Sequence, residues 1–386
     1  MLSFASRLIG RLALPGLPLP PSLRLPPPAR AVTNHPHDPV LAREWDDLAQ
    51  RLQVPPYLES GWIQAWWRAF GHGELQLRAI RRDGQLNGLL PLADRDNIIE
   101  SPANYHTPVF DMLAEDHVAT MTLARDLFAD GPTHVSLTSV DPDGTGMDAW
   151  QRAASEAGYR VVIRPFWRSP YVQIAESWDA YEHSLSSNLL RNQRRVRRQL
   201  EREGKVSLEI VTGGPHLDER LREAFRVEGS SWKSASGTAI QADLRCQRFY
   251  SEIGHWAASR GMLRLFLLRL DGRPFAMNLA LQAHGVCYLQ KAGYDMAFSR
   301  YSPGSMLLHA VLRECFAAGL TRVELNGDSE PYKLSWARSA HEYKRFEAFA
   351  PTASGKLSWA SFQYARPVTA RVRQRLGLPP QDHRQN

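Results

Sequence analysis

The sequence predicts a mixed α/β (α+β) protein assembled twice on one plan, and three observations predict it. Two alternating apolar stretches are each broken by Asp-Gly: Leu75–Arg82 and Gln85–Leu92 around Asp83-Gly84, Leu263–Leu270 and Arg273–Gln282 around Asp271-Gly272. Asp-Gly in that setting signals a hairpin, because both central residues of a type I′ turn need positive φ. A stretch of helical periodicity precedes each hairpin, Trp62–Phe70 in one case and Phe249–Arg260 in the other. Helix, strand, turn and strand thus recur roughly 190 residues apart, the mark of a duplicated unit.

Each unit continues in kind. The first predicts helix Ala119–Phe128, strand His134–Leu137, helix Met147–Ala157 and a strand over Tyr159–Ile163. The second predicts strand Val286–Gly293, a loop over Tyr294–Ser302, helix Pro303–Ala318, strand Arg322–Asn326, a short helix over Glu330–Trp336 and strand Tyr343–Phe349. Each unit is expected to be a mixed, mostly antiparallel sheet with helices on its faces. Arg168-Ser169-Pro170 reads as the break between them. The chain divides accordingly into a Pro/Leu/Arg-rich disordered leader (1–37), a first unit (38–168), a second unit (169–360) and a loose basic tail (361–386).

Composition narrows the class. A chain of 386 residues can fill two cores, and eleven Trp argue for large buried surfaces or aromatic-lined pockets. A formal charge of +7 is mild for this length and does not by itself declare a nucleic-acid binder. Cys246, Cys287 and Cys315 are scattered without CxxC or a histidine pattern, so neither a metal site nor a disulfide framework is expected, and a reducing, cytoplasmic setting fits. The leader holds four arginines and no acid, and its apolar stretches are broken by Arg7, Arg11 and prolines. It therefore lacks a signal-peptide core, and a transit or membrane-surface role is the lesser alternative to disorder. No stretch approaches the ~20 apolar residues of a membrane helix.

Two features point to an anionic ligand. From Asn188 to Lys205 seven basic residues face two acidic ones. Leu189, Gln193, Val196 and Leu200 form the packing stripe of a helix there, while Arg191, Arg195, Arg198 and Arg202 share another face. Such a face can meet phosphates, or it can be a solvated surface paired with acids elsewhere; it lacks the interleaved aromatics that stack bases. Further on, the loop ending at Ser302 delivers a helix N-terminus, with Ser302 suited to the cap and Pro303 to the first turn. The first amides of that helix have no internal partner and attract anions.

The order SSNLLRNQRRVRRQLEREG, SSWKSASGT, FYSEIGHWAASRGMLRLFLLRLDGRPFAMNLAL, YLQKAGYDMAFSRYSPGSMLLHAVL and ELNGDSEPYKLSWA resembles the acetyltransferase-type domain of the GNAT superfamily. More narrowly it is similar to the FemAB-like or BioF2-like branch, whose members include proteins near bacterial cellulose and exopolysaccharide synthesis. The resemblance covers Ser169–Phe349, and less closely Val40–Arg168. It implies tandem GNAT-like folds and transfer of an acyl group, acetyl above all, from acetyl-CoA or another acyl-CoA to an amine or hydroxyl.

The resemblance also implies residue roles. The cofactor-facing positions are Arg300, Ser302, Gly304, Ser305, Met306 and Asn326. Arg300–Ser305 keeps an arginine and one glycine of the family's phosphate loop but puts Ser-Pro in place of its first small turn. Tyr332, spaced from Asn326 as in ordinary members, could protonate a leaving thiolate, its reference pKa of ~10 lying near a thiol's. Lys291, on the strand lining the cleft, could polarise an oxyanion. Asp328 and Glu228 are candidate bases; Trp232, Lys233, Lys333 and His106 are candidate acceptor contacts. Each has an ordinary structural role as its alternative. No Ser–His–acid or Cys–His constellation has a recognisable local signature, so direct attack on the thioester is expected.

Three functions follow. The first is acyl-CoA-dependent transfer to a sugar or cell-envelope glycan precursor. The second is transfer from aminoacyl-tRNA, favoured by the arginine helix and opposed by the absence of a long charged helical arm. The third is a non-catalytic accessory of polysaccharide synthesis, suggested by the altered phosphate loop.

Overall fold

The computed structural model of the chain describes residues 29–33, 38–230, 240 and 243–365. The first half runs β1 (Ala29–Thr33), α1 (Pro39–Leu52), α2 (Ser60–Phe70), β2 (Glu74–Arg82), β3 (Gln85–Arg95), β4 (Ile98–Glu100), β5 (Leu113–Ala114), α3 (His117–Ala129), β6 (His134–Val140), α4 (Met147–Glu156) and β7 (Arg160–Gln173). Helices α5 (Trp178–Ser184) and α6 (Ser187–Glu201) connect it to the second. There β8 (Val206–Val211), α7 (Leu217–Gly229), α8 (Leu244–Ser259), β9 (Leu263–Leu270), β10 (Arg273–Ala283) and β11 (Val286–Tyr294) are followed by α9 (Pro303–Ala317), β12 (Arg322–Glu324), α10 (Pro331–Leu334), β13 (Ser339–Phe349) and α11 (Ala353–Ala360).

Both hairpins form as the Asp-Gly pairs require, with positive φ at Asp83 and Gly84 (51° and 79°) and at Asp271 and Gly272 (47° and 83°). The strands make one mixed sheet in the order β1-β2-β3-β4-β6-β13-β7-β12-β11-β10-β9-β8, with β5 added beside β3. That order is a palindrome. Strand for strand, the first half mirrors the second about the β13/β7 pair.

The centre of the palindrome is an exchange. The last strand of the second half, β13, pairs with β6 of the first, while β7 pairs with β12 of the second. The expected break at Arg168-Ser169-Pro170 lies inside β7, which runs against β13 from Arg160↔Phe349 to Tyr171↔Ser339. Pro170 is tolerated because its carbonyl, and so its nitrogen, faces β12 at the start of that short ladder, where Leu325 N donates to Pro170 O (3.0 Å). Likewise Ala29–Thr33, expected to be unstructured, adds an edge strand antiparallel to β2. At the other end the first residues of the expected loose tail dock: Phe362 is buried against Phe349, ring centroids 5.5 Å apart.

Helices α1, α2, α7 and α8 cover one face of the sheet and share a single apolar core with it. Helix α2 meets α8 so closely that a Cβ on Gly61 would fall 2.0 Å from the Trp256 indole. Trp62 meets Phe249 edge-to-face at 5.1 Å, and each such buried aromatic contributes about 1.5–3 kcal/mol through burial alone. On the opposite face, α3 and α4 cover the first half, and α5, α6 and α9 cover the second. The stripe predicted for α6 is the one that packs, with Gln193, Val196 and Leu200 buried. Among the described residues no helix is long and apolar enough to cross a membrane.

Candidate active site

The two parallel strands β11 and β12 pair only at Val286↔Arg322, Cys287↔Val323 and Tyr288↔Glu324. Beyond Tyr288 they part, because β12 ends and the chain turns at Asn326 (φ 49°) and Gly327 (φ 64°). From Leu289 onward β11 has no β12 partner. A register shift against β10 between Leu279 and Ala280 sits at the same level and puts Gln290 and Lys291 out of simple alternation.

Here the structure gathers three residues singled out from the sequence. Lys291 and Glu228 are both out of solvent, with Lys291 Nζ 3.5 Å from Glu228 Oε1. Glu228 Oε2 accepts a hydrogen bond from Ile240 N (2.7 Å), while Oε1 accepts none among the described residues. Lys291 Nζ also lies 5.6 Å from the centroid of the Tyr250 ring. His106, from the first half, is buried beside them with Nδ1 2.7 Å from Tyr250 Oη and Nε2 3.3 Å from Cys246 Sγ. Gln290 Nε2 donates to His106 O, and Gln290 Oε1 accepts from Asn326 Nδ2 (3.4 Å).

Cys246 and His106 are thus a thiol–imidazole pair that the sequence did not disclose: 140 residues separate them, so no local motif exists. Burial raises the Cys246 thiol above its usual range and lowers the His106 imidazole, the Lys291 charge adding to the latter. Both shifts favour the neutral pair over thiolate and imidazolium. Tyr250 and Tyr57 were missed for the same reason, their partners being in the other half. Their one sequence signal was the aromatic richness of α8 and of the stretch from Tyr57 through α2.

Asn326 and Lys333 hold the turn after β12. Asn326 Nδ2 donates to Tyr57 Oη (2.8 Å), so its amide is engaged with the first half. Lys333, buried, donates from Nζ to Asn326 O (2.5 Å) and Asp328 O (3.3 Å) and pairs with Glu330 (2.6 Å). The Asp328 carbonyl also accepts from Glu330 N (2.9 Å). Tyr332, on α10, is 49 % exposed; partial burial, and then the Glu330 charge, push its phenol upward. Trp232 and Lys233 lie outside the described residues.

At the start of α9, Ser302 adopts φ 51°, ψ 52° and its side chain caps nothing, a departure from the N-cap expected of it. A left-handed residue cannot aim its hydroxyl at the amides two and three residues on. Met306 N donates to Ser302 O (3.0 Å), so its amide belongs to the helix, and Gly304 and Ser305 carry the open first-turn amides. Gly304 leaves room: a Cβ there would find its nearest neighbour at 3.6 Å, in the Tyr294 ring. Arg300 pairs with Glu203 (2.7 Å), and Ser305 Oγ accepts from Gln193 Nε2 of α6 (2.6 Å). That last bond lays the arginine helix beside the α9 N-terminus, over a cavity of about 200 Å³ lined by Arg194, Arg197, Met306 and His309.

Residues 187–334, from α6 through α10, match the family model of the acetyltransferase (GNAT) domain. The fold agrees. FemX superposes with a TM-score of 0.54 at 12% identity, over 79% of this chain and 95% of its own. The C-terminal DUF2156 domain of an Agrobacterium fabrum protein described as a lysylphosphatidylglycerol synthetase gives 0.52 at 11%, over 82% and 93%. A conserved Bacteroides thetaiotaomicron protein of unknown function gives 0.51 at 10%, over 80% and 97%. At such identities the likeness is one of fold. No curated protein matches the chain in sequence. The chain is a mixed α/β protein built twice on one plan within one sheet, and the stretch that matches the acetyltransferase (GNAT) model, residues 187–334, spans most of its second half.

Proposed function

We propose that the chain is an acyltransferase that moves an acyl group from a thioester, acyl-CoA in the first place, to an amine or hydroxyl of a sugar or envelope-glycan precursor. The observation that carries the reading is the parting of β11 from β12, which frees the β11 backbone from Leu289 beside the open amides of Gly304 and Ser305. A thioester's amide-rich arm can pair with the freed strand, and its phosphates can meet those amides and the α6 arginines. The acceptor nitrogen or oxygen attacks the thioester carbonyl, Glu228 takes its proton, Lys291 offsets the oxyanion charge, and the C–S bond breaks as Tyr332 protonates the departing sulfur. The residues present fit acyl-CoA in part: Gly304, Ser305 and α6 supply donors, while Arg300 is held by Glu203.

Free thiol released from acetyl-CoA by the purified chain, with a panel of amino sugars, tests the reading. Absence of both turnover and acyl-CoA binding sinks it. Aminoacyl-tRNA as donor is the second reading, favoured by the exposed arginine face of α6, and filter binding of charged tRNA against acyl-CoA separates the two.

A further inference from the structure

The two halves differ where their parallel strands part. In the second half Tyr288 and Asn326 flank the opening, and Tyr57 from the first half covers it, its ring 5.5 Å from Tyr288 and its hydroxyl on Asn326. The first half has the same short ladder, Ile98↔His134 to Glu100↔Ser136. Matching the ladders pair for pair puts Glu100 in the place of Tyr288 and Thr138 in the place of Asn326. The opening in the first half is correspondingly a cavity, of about 220 Å³.

Its lining has a definite chemistry. Trp66 and Phe70 of α2 and Phe166 of β7 present aromatic surface, which suits the C–H faces of a sugar ring. The hydroxyls of Ser101 and Thr138, 3.2 Å apart, can each give or take a hydrogen bond. Trp66 Nε1 is buried in the same wall without a partner among the described residues. Arg95, Arg245 and Arg345 bring three guanidiniums to the lining, each beside a carboxylate: Glu100 (3.7 Å), Asp243 (2.9 Å) and Glu347 (3.4 Å). Planar guanidiniums suit phosphate or carboxylate oxygens. The volume falls below the ~300–1,000 Å³ of drug-sized sites and suits one monosaccharide unit.

The cavity also adjoins the cluster around Lys291. Phe70 stacks on His106 (5.1 Å, 16°), and Asn104, another lining residue, accepts from His106 N (3.0 Å). We propose that this first-half cavity is a binding site for an anionic pyranose, a sugar phosphate or a uronic acid, which serves as the acceptor. Only the word acceptor rests on the acyl-transfer reading.

Calorimetry and tryptophan fluorescence of the full chain test it, with glucosamine 6-phosphate, glucuronate, neutral glucosamine and inorganic phosphate as probes. The expected result is saturable binding of at least one anionic sugar, with glucosamine and phosphate about ten-fold weaker or more. The tighter of the two anionic sugars identifies the source of the charge. Arg345→Gln and Arg95→Gln are each expected to weaken binding about ten-fold or more. The half-exposed Arg95 (50 %) lets that test run on a folded protein if Arg345→Gln unfolds. No saturable binding of either anionic sugar at millimolar concentration, phosphate binding as well as the sugars, or binding indifferent to both substitutions overturns the site. Thiol release from acetyl-CoA, measured in parallel, keeps the two ideas apart. Sugar binding without any transfer leaves the site and removes the acceptor role; transfer to other amines without sugar binding removes the site alone.

Discussion

Lys291 Nζ stands 3.5 Å from Glu228 Oε1, and this contact joins β11 to the last turn of α7 with both side chains buried. Two charges removed from water stabilise one another, so each is costly without its partner.

A double-mutant cycle measures that dependence. Lys291→Met or Glu228→Gln alone is expected to cost about 3–5 kcal/mol in urea unfolding, and the double variant less than the sum of the two. Lys291→Met is further expected to lower kcat by about 10²-fold if the ammonium meets the oxyanion. Additive losses would show that the two groups do not couple.

Gly293 sits one side-chain repeat further along β11, under the same turn of α7. A Cβ there would lie 2.6 Å from Glu228 Cα. Gly293→Ala is therefore expected to push strand and helix apart at a cost of about 1–3 kcal/mol, read from the urea midpoint. A midpoint equal to wild type would mean that the two backbones are not in this close contact.

The His106 imidazole is held well below its ordinary value by burial and then by Lys291. Below the unfolded value of ~6.5 the unfolded chain takes up a proton that the folded chain refuses, so this group's contribution is complete above that pH and is lost as the pH falls. Glu59 and Asp111, both pushed up to about 7 by burial, act in the opposite sense between their unfolded values and pH 7. The readout is accordingly the difference between wild type and His106→Gln. The variant should lose less stability between neutral pH and pH 5, and parallel curves would exclude the assignment.

Tyr332→Phe removes a hydroxyl from a half-exposed ring and should change stability by no more than about 0.5 kcal/mol. If the phenol protonates the departing thiolate, kcat falls by about 10²-fold with KM for the donor little altered. Unchanged turnover would transfer the acid's role to another group or to water.

On α6, Arg194→Gln is expected to raise the KM for acyl-CoA while kcat holds, because the side chain lines the cavity beside α9 and lies outside the reacting cluster. Salt is a second lever: an RNA donor would show a steep fall of affinity with log salt, an acyl-CoA a shallow one. A steep slope with charged tRNA, and none with acyl-CoA, would favour the second reading of the donor.

The legibility of the chain followed range. Asp83-Gly84 and Asp271-Gly272 were readable because a two-residue turn fixes its own dihedrals, and Val196 and Leu200 because a packing stripe repeats every three or four residues. Lys291, Glu228 and His106 were readable as chemistry-bearing residues, but nothing in their spacing placed them together. Ser302 shows the limit within a single turn, where its residue type suited a cap and its left-handed backbone precluded one.

The sequence alone determined helices α2, α3, α4, α6, α8, α9 and α10, the two hairpins and the doubling of the plan, since each depends on contacts between near neighbours. Helices α1, α5, α7 and α11 were not read from it. Tertiary structure decided the rest. Alternation marks a strand without naming the partner on either of its edges, so the exchange of β7 and β13 had no local sign. The same exchange makes one sheet of two and carries His106 to Tyr250, Cys246 and the Lys291–Glu228 pair, because only the packed halves bring residues 140 positions apart within hydrogen-bonding reach.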